Sequence, residues 1–215
     1  MKVRHRGPVA HIVCCLIFVG LWGCTPQGDP GVDARGMQDT FSRTELGPLW
    51  HKTGGNYDIR NGKLYVRGAR NHPLWLRRVL PTDVRIEFDV RSESPSGDIK
   101  IEVFGDGRSF AKQESYTATS YVVVLGGWNN SLNIIARLDE HGSDRVIGPK
   151  RPIQVGRTYH VVVQRKDAVL TVFLDGQKFM QMEDRNPLVG RGHDHFAFNN
   201  WESELWFDNL KIAPL

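Results

Sequence analysis

The chain has 215 residues, with 28 Lys+Arg against 24 Asp+Glu, a formal net charge of +4 and 40% hydrophobic residues. Lys2, Arg4 and Arg6 stand at the very start. Without them 25 basic side chains face 24 acidic ones, which removes the electrostatic argument for a nucleic-acid partner. The three cysteines are Cys14, Cys15 and Cys24, so nothing beyond residue 24 can form a disulfide or a thiolate-ligated metal site.

The basic start leads into an apolar run from about His11 to Gly23. That run falls short of the roughly 20 apolar residues of a membrane span and has the layout of a secretory signal. It ends in Leu21-Trp22-Gly23-Cys24. A small residue before a cysteine, with an aliphatic residue three positions before it, resembles the bacterial lipoprotein signal box, although Trp22 departs from the usual small or aliphatic residue. The resemblance implies cleavage before Cys24 and diacylglycerol on its thiol. It also implies a membrane contact through that lipid and a place in the cell envelope. Thr25, rather than Asp, after the cysteine leans toward the outer membrane. The predicted organisation is a signal over 1–23, a Pro/Gly/Asp-rich flexible tether over 24–38 and one domain over 39–215.

Within the domain no amphipathic helix is apparent, and short alternating runs recur between turn dipeptides. Residues 57–68 hold Asn61-Gly62 between two such runs, a two-residue hairpin signal. The stretch 72–78, HPLWLRR, reads as a strand with a solvated end. Residues 84–93 place Val84, Ile86, Phe88 and Val90 on one face, and 98–105 follow after a Ser-Pro-Ser-Gly turn. Strands at 120–125 and 132–138 flank Gly126-Gly127-Trp128-Asn129-Asn130, which reads as the turn between them. A strand at 158–166 precedes a hairpin over 168–183 built on Asp175-Gly176. Asn199-Asn200-Trp201-Glu202 reads as the link into the last strand, 205–212. Many short strands joined by turns predict an all-β fold, a two-sheet antiparallel sandwich of jelly-roll type.

The opening DTFSR, the DG hairpin in GRTYHVVVQRKDAVLTVFLDGQKF and the closing WFDNLKI resemble the concanavalin A-like lectin/glucanase superfamily, closest to its laminin-G-like and 3-keto-disaccharide-hydrolase-like domains. The resemblance covers most of 39–215 and rests on fold markers rather than catalytic ones. It implies a sandwich of which one face often holds carbohydrate.

Several groups are candidates for chemistry. Sandwich glucanases of that superfamily carry E-x-D-x-E or E-x-D-x-x-E on one strand. Here Glu87, Asp89 and Glu93 have one residue more, and Glu87 and Glu93 would stand about 20 Å apart on a regular strand, against about 5–5.5 Å for a retaining pair. Arg85, Glu87, Asp89 and Arg91 therefore read as a mixed-charge row facing solvent or neighbouring strands. Glu202 and Glu204 are two apart and could share a face, where two close carboxylates would raise one pKa. His193 and His195 have a spacing that metal sites use, with His72, His141 or Asp139 as a third ligand. The expected cofactor set is none; calcium would have to use oxygen ligands such as Asp106, Asp139 or Asp208.

Sugars present apolar C–H faces and a fringe of hydroxyls, so their sites want aromatic platforms beside planar amides. Trp75, Trp128 and Trp201, with Asn71, Asn129, Asn130, Asn199 and Asn200, supply those types, and His141, His193 and His195 add polar contacts. Asparagine is also a common turn residue, which alone would explain its place in both Trp-Asn turns. The function expected is a surface-anchored lipoprotein with a carbohydrate-binding sandwich, its partner a glycan or cell-wall saccharide. A glycoside hydrolase or lyase of the same fold and a structural envelope protein are the alternatives.

Overall fold

The structure is a computed structural model that describes Met1, residues 28–113 and residues 116–215. The predicted signal and the lipidation site at Cys24 lie outside the described residues. Among the described residues no helix is long and apolar enough to cross a membrane.

Among the described residues fifteen strands run in chain order: β1 Met37–Asp39, β2 Trp50–Lys52, β3 Asn56–Arg60, β4 Lys63–Arg67, β5 Leu74–Leu76, β6 Val84–Ser92, β7 Ile99–Gly105, β8 Tyr121–Gly126, β9 Leu132–Arg137, β10 Val146–Ile147, β11 Thr158–Lys166, β12 Val169–Leu174, β13 Gln177–Glu183, β14 His195–Asn199 and β15 Glu204–Pro214. They form two antiparallel sheets. One has the order β13-β12-β11-β6-β15-β4-β3, with β1 also on β15; the other has the order β10-β9-β8-β7-β14-β5-β2.

The turn chemistry explains the hairpins. Asn61 and Gly62 both take left-handed dihedrals between β3 and β4, as do Asp175 and Gly176 between β12 and β13, the conformation that two-residue hairpins with the right twist require. The alternation of β6 buries Val84, Ile86, Phe88 and Val90 between the sheets, against Phe196, Phe198 and Phe207. In the closing strand, left-handed Asn209 marks a bulge between Asp208 and Lys211. The bulge shifts the side-chain alternation, so that Phe207, Leu210 and Ile212 all reach the core.

Three short strands, β1, β2 and β10, carry no alternation signal of their own. The predicted tether also engages the domain: Val32 N–H donates to Val79 O (2.9 Å), Val79 N–H donates to Pro30 O (3.0 Å), and β1 begins at Met37.

The second sheet matters most for function because both its faces are covered. Every residue of β7 and β8 is buried, as the nearly unbroken apolar run Tyr121–Gly126 suggests for a strand covered on two sides. The inner face packs on the core. The outer face is crossed by the segment after β7, where Ala118 packs on Val122, Val124, Ile134 and Ala136 with Tyr116 beside them. That cover stops short of one end of the sheet.

Candidate functional site

At that end five loops meet and leave a pocket of about 380 Å³, within the range of small-ligand sites. Trp128 and Trp201, from the two Trp-Asn motifs, both line it. The polar lining includes Asn71, Asp98, Lys100, Asn129, Glu140, His141 and Glu202.

Trp128 arrives by an unusual backbone. Gly126, Trp128, Asn129 and Asn130 all have positive φ, so the link between β8 and β9 is a turn of left-handed helix. Glycine and asparagine adopt this conformation readily; tryptophan does so at a cost of about 1–2 kcal/mol. Strain of this kind persists only where the surroundings over-determine it, and it gathers at functional sites. The surroundings here are explicit. Asn130 Nδ2 donates to Pro95 O (3.0 Å) and Ile153 O (2.7 Å), and its Oδ1 accepts from Ile153 N–H (2.7 Å). Asn133 Oδ1 accepts from Gly126 N–H (2.8 Å). Gly97 packs so closely on the turn that a Cβ would lie 2.6 Å from Gly126 O. The indole thereby projects to His141, edge to face at 5.5 Å, with the Arg145 guanidinium 5.1 Å from the ring centroid.

Trp201 is 36% exposed, and its backbone is clamped from two sides. Its N–H donates to Asp98 Oδ2 (2.6 Å), and its carbonyl accepts from Arg70 N–H (2.9 Å). Asn200 is fully buried beneath it: Oδ1 accepts from Ala69 N–H (2.9 Å), and Nδ2 donates to Ser203 O. Asn199, also fully buried, donates to Glu102 Oε1 (2.8 Å).

The floor is ionic. Lys100 Nζ lies 2.8 Å from Glu140 Oε2 and donates to Asn71 Oδ1 (2.9 Å), all three residues being buried. Burial pushes the Asp98 carboxyl up from its ordinary value; Lys100 and the Trp201 N–H oppose the rise, and Glu140 and Glu202 add to it. Two residues beyond Lys100 on β7, burial pushes Glu102 up to about 7 against its hydrogen bonds from Ser120, Asn199 and Tyr116. Glu202, at the rim, pairs with Arg70 at 2.9 Å.

The structure therefore divides the sequence candidates. Trp128, Asn129, His141, Trp201 and Glu202 line one pocket, as does Asn71. Asn130, Asn199 and Asn200 do not offer their amides to it, because those groups already satisfy backbone or buried side-chain partners. Trp75 offers no platform: it is 0% exposed, and its Nε1–H donates to Ser109 O (2.9 Å). His193 and His195 sit at the opposite end of β14, where His195 pairs with Gly105 on β7. His193 Nδ1 is hydrogen-bonded to Thr119 O (2.7 Å) and His195 Nδ1 to Asp194 (2.6 Å). Glu204 lies on β15 in the other sheet, 3.9 Å from Arg67, and is not among the residues that line the pocket with Glu202.

Glu87 and Asp89 also lie on the other sheet. Glu87 pairs with Arg85, while Asp89 is bonded to His160 and Asn209, each 2.8 Å away. They form the mixed-charge row that their alternation indicated. Among the described residues no three His, Cys, Asp or Glu side chains are grouped as a metal would need. Asp106 is engaged by Arg108 N–H and by Ser109, Asp139 by His141 N–H, and Asp208 by Lys63, on separate elements.

Asp98, Lys100 and Glu140 were missed as site residues. The signal for the first two was present: in DIKIEV, Asp98, Lys100 and Glu102 alternate with Ile99, Ile101 and Val103. A polar face on a strand whose partner β8 is apolar on both faces marks a site rather than a solvated edge. Glu140 carries no such pattern, since only the folding-back of its loop brings it to Lys100.

No protein-family model matches the chain. It is similar, at 24% identity over 139 residues, to an extracellular exo-alpha-L-arabinofuranosidase of Streptomyces chartreusis; the match takes in 64% of this chain but 16% of that enzyme. Among solved structures it resembles the carbohydrate binding module CBM66 from Bacillus subtilis, with a TM-score of 0.58 at 15% identity over 80% of this chain and 97% of that one. The fold is that of the carbohydrate-binding and lectin sandwiches. Two further structures agree. The Emp47p carbohydrate recognition domain has a TM-score of 0.58 at 13% identity, covering 86% of this chain and 99% of that one. The exoplasmic/lumenal domain of VIP36 in its Ca2+/Man-bound form has a TM-score of 0.61 at 11% identity, covering 79% and 84%.

Proposed function

We propose that this chain is a concanavalin A-like carbohydrate-binding domain, carried on a lipoprotein anchored through Cys24 to the bacterial cell envelope, in the outer membrane. The convergence of Trp128 and Trp201 on one polar pocket carries the reading. Indole faces suit the C–H surfaces of a sugar ring, and the carboxylates, amides and Lys100 at the floor supply acceptors and donors for its hydroxyls. The fold shared with carbohydrate-binding modules and lectins and the partial similarity to an arabinofuranosidase support it. A single pocket of this kind binds weakly, and many lipid-held copies on one surface would act by avidity.

The test is a titration of the purified chain against a glycan panel that includes arabinofuranosyl and mannosyl oligosaccharides. Saturable binding to a subset, weakened by Trp128→Ala, is the expected result; equal signal from every glycan would favour a structural envelope role. Anchoring is tested by a labelled fatty acid, which should be incorporated by the wild type and not by Cys24→Ala.

A second reading, a glycoside hydrolase, is favoured by one observation: the Asp98 carboxyl is pushed up beside Glu140 and Glu202. Glycosidic cleavage needs two carboxyls whose environments differ, one of them raised, on either side of the scissile bond. Release of reducing sugar from a bound glycan, abolished by Asp98→Asn with binding retained, would establish it.

A further inference from the structure

Trp201 and Glu202 do not line the pocket alone. On their far side they also line an open groove of about 600 Å³, completed by Arg70, His72, Phe110, Ala111, Lys112 and Gln113. We propose that this groove is a second sugar subsite, so that the chain takes an oligosaccharide of at least two units that passes over Trp201, rather than a single sugar. The inference rests on the saccharide reading of the first pocket.

Three observations carry it. The first is continuity, since one indole forms a wall of both spaces. The second is a further aromatic surface. Phe110 is 37% exposed, unusual for a large apolar side chain in this molecule, and it stacks on His72 with ring centroids 5.3 Å apart at 25°. His72 is itself held, its Nδ1 lying 3.0 Å from Ala69 O. A phenylalanine backed by a fixed ring and open to a groove is a platform for a C–H face, as the tryptophans are in the first pocket.

The third observation is how the walls are tied together. Arg70 and Asn71 are consecutive left-handed residues, the first an unfavourable choice for that conformation. Arg70 N–H donates to Trp201 O (2.9 Å), Asn71 N–H donates to Asn200 O (3.1 Å), and Asn71 O accepts from Ala111 N–H (2.8 Å), which fixes Phe110 next door. Asn71 Oδ1 meanwhile accepts from Lys100 in the first pocket. One strained turn thus sets the spacing of both spaces. Arg70, Lys112 and Gln113 provide donors along the groove, and the exposed Arg70–Glu202 pair is of the kind that contributes little and yields readily to a ligand hydroxyl.

The experiment compares the full chain's affinity for methyl arabinofuranoside with that for arabinotriose, and for mannose with that for mannotriose, by calorimetric titration. The expected result is that the favoured trisaccharide binds about tenfold more tightly than its monosaccharide, and that Phe110→Ala removes this gain while monosaccharide affinity stays within about twofold. Trp128→Ala should weaken both ligands together. Equal affinity for the two lengths, or a length gain that survives Phe110→Ala, would overturn the second subsite and leave the first pocket standing. No binding of any glycan of the panel by the wild type, these four sugars included, would overturn the saccharide reading and the subsite with it. Phe110 is exposed, so its truncation leaves the core intact, and an unchanged melting curve verifies this.

Discussion

Trp128 and His141 meet edge to face, ring centroids 5.5 Å apart at 84°, although one sits in the turn between β8 and β9 and the other in the loop beyond β9. The contact joins two loops that wall the same pocket, and it holds an indole whose own backbone is strained.

Trp128→Ala should reduce affinity for any glycan found in the panel by about tenfold or more, because it removes a stacking face worth about 1 kcal/mol and the contact that orders His141. Global stability should fall by only about 1 kcal/mol, from the lost packing of a half-buried ring, since alanine keeps the Cβ and with it the left-handed strain. Titration beside a chemical melt of the same variant separates the two.

Asn130 holds the turn through three hydrogen bonds and a left-handed φ of 64°. Asn130→Ala should cost about 3 kcal/mol, from lost bonds together with backbone strain. Asn130→Gly loses the same bonds without the strain, so it should be about 1 kcal/mol less destabilising. Equal losses in urea melts would show that the turn relaxes away from its left-handed form.

Lys100 and Glu140 form a buried pair. Lys100→Met should destabilise by about 3 kcal/mol, because it leaves the Glu140 carboxylate buried without its counter-charge and Asn71 Oδ1 without its donor. Adding Glu140→Gln should recover a large part of that loss. A double mutant as unstable as the sum of its parts would contradict the pairing.

Glu102 yields a pH signature. Its carboxyl is raised from an ordinary 4.5 to about 7, burial being the main cause. A raised acid stabilises the fold fully below its unfolded-state value, and that contribution is lost as pH climbs through the folded-state value. The wild type should therefore lose on the order of 3 kcal/mol through this group between about pH 5 and pH 8. Glu102→Gln, uncharged throughout, should flatten that slope in denaturation curves taken across the range.

Local sequence determined the strands whose signals are local. Asn61-Gly62 and Asp175-Gly176 dictate their hairpins because few other residues accept left-handed dihedrals, and the alternation of β6 dictates which face meets the core. The same chemistry accounts for Asn130, whose amide pins a turn, and for Asn199 and Asn200, which hold the link into β15. Tertiary structure decided the rest. Trp75 and Trp201 are alike as letters in the chain, but the segment carrying Ser109 crosses the outer face and buries the first, while the cover stops before the second. Glu140 reaches Lys100, and Arg70 reaches Trp201, through loops that fold back across the sheet, and no spacing in the chain encodes where such a loop lands. Turn and strand preferences are set by a residue and its near neighbours; a pocket is set by which distant surfaces the packed sheets leave uncovered.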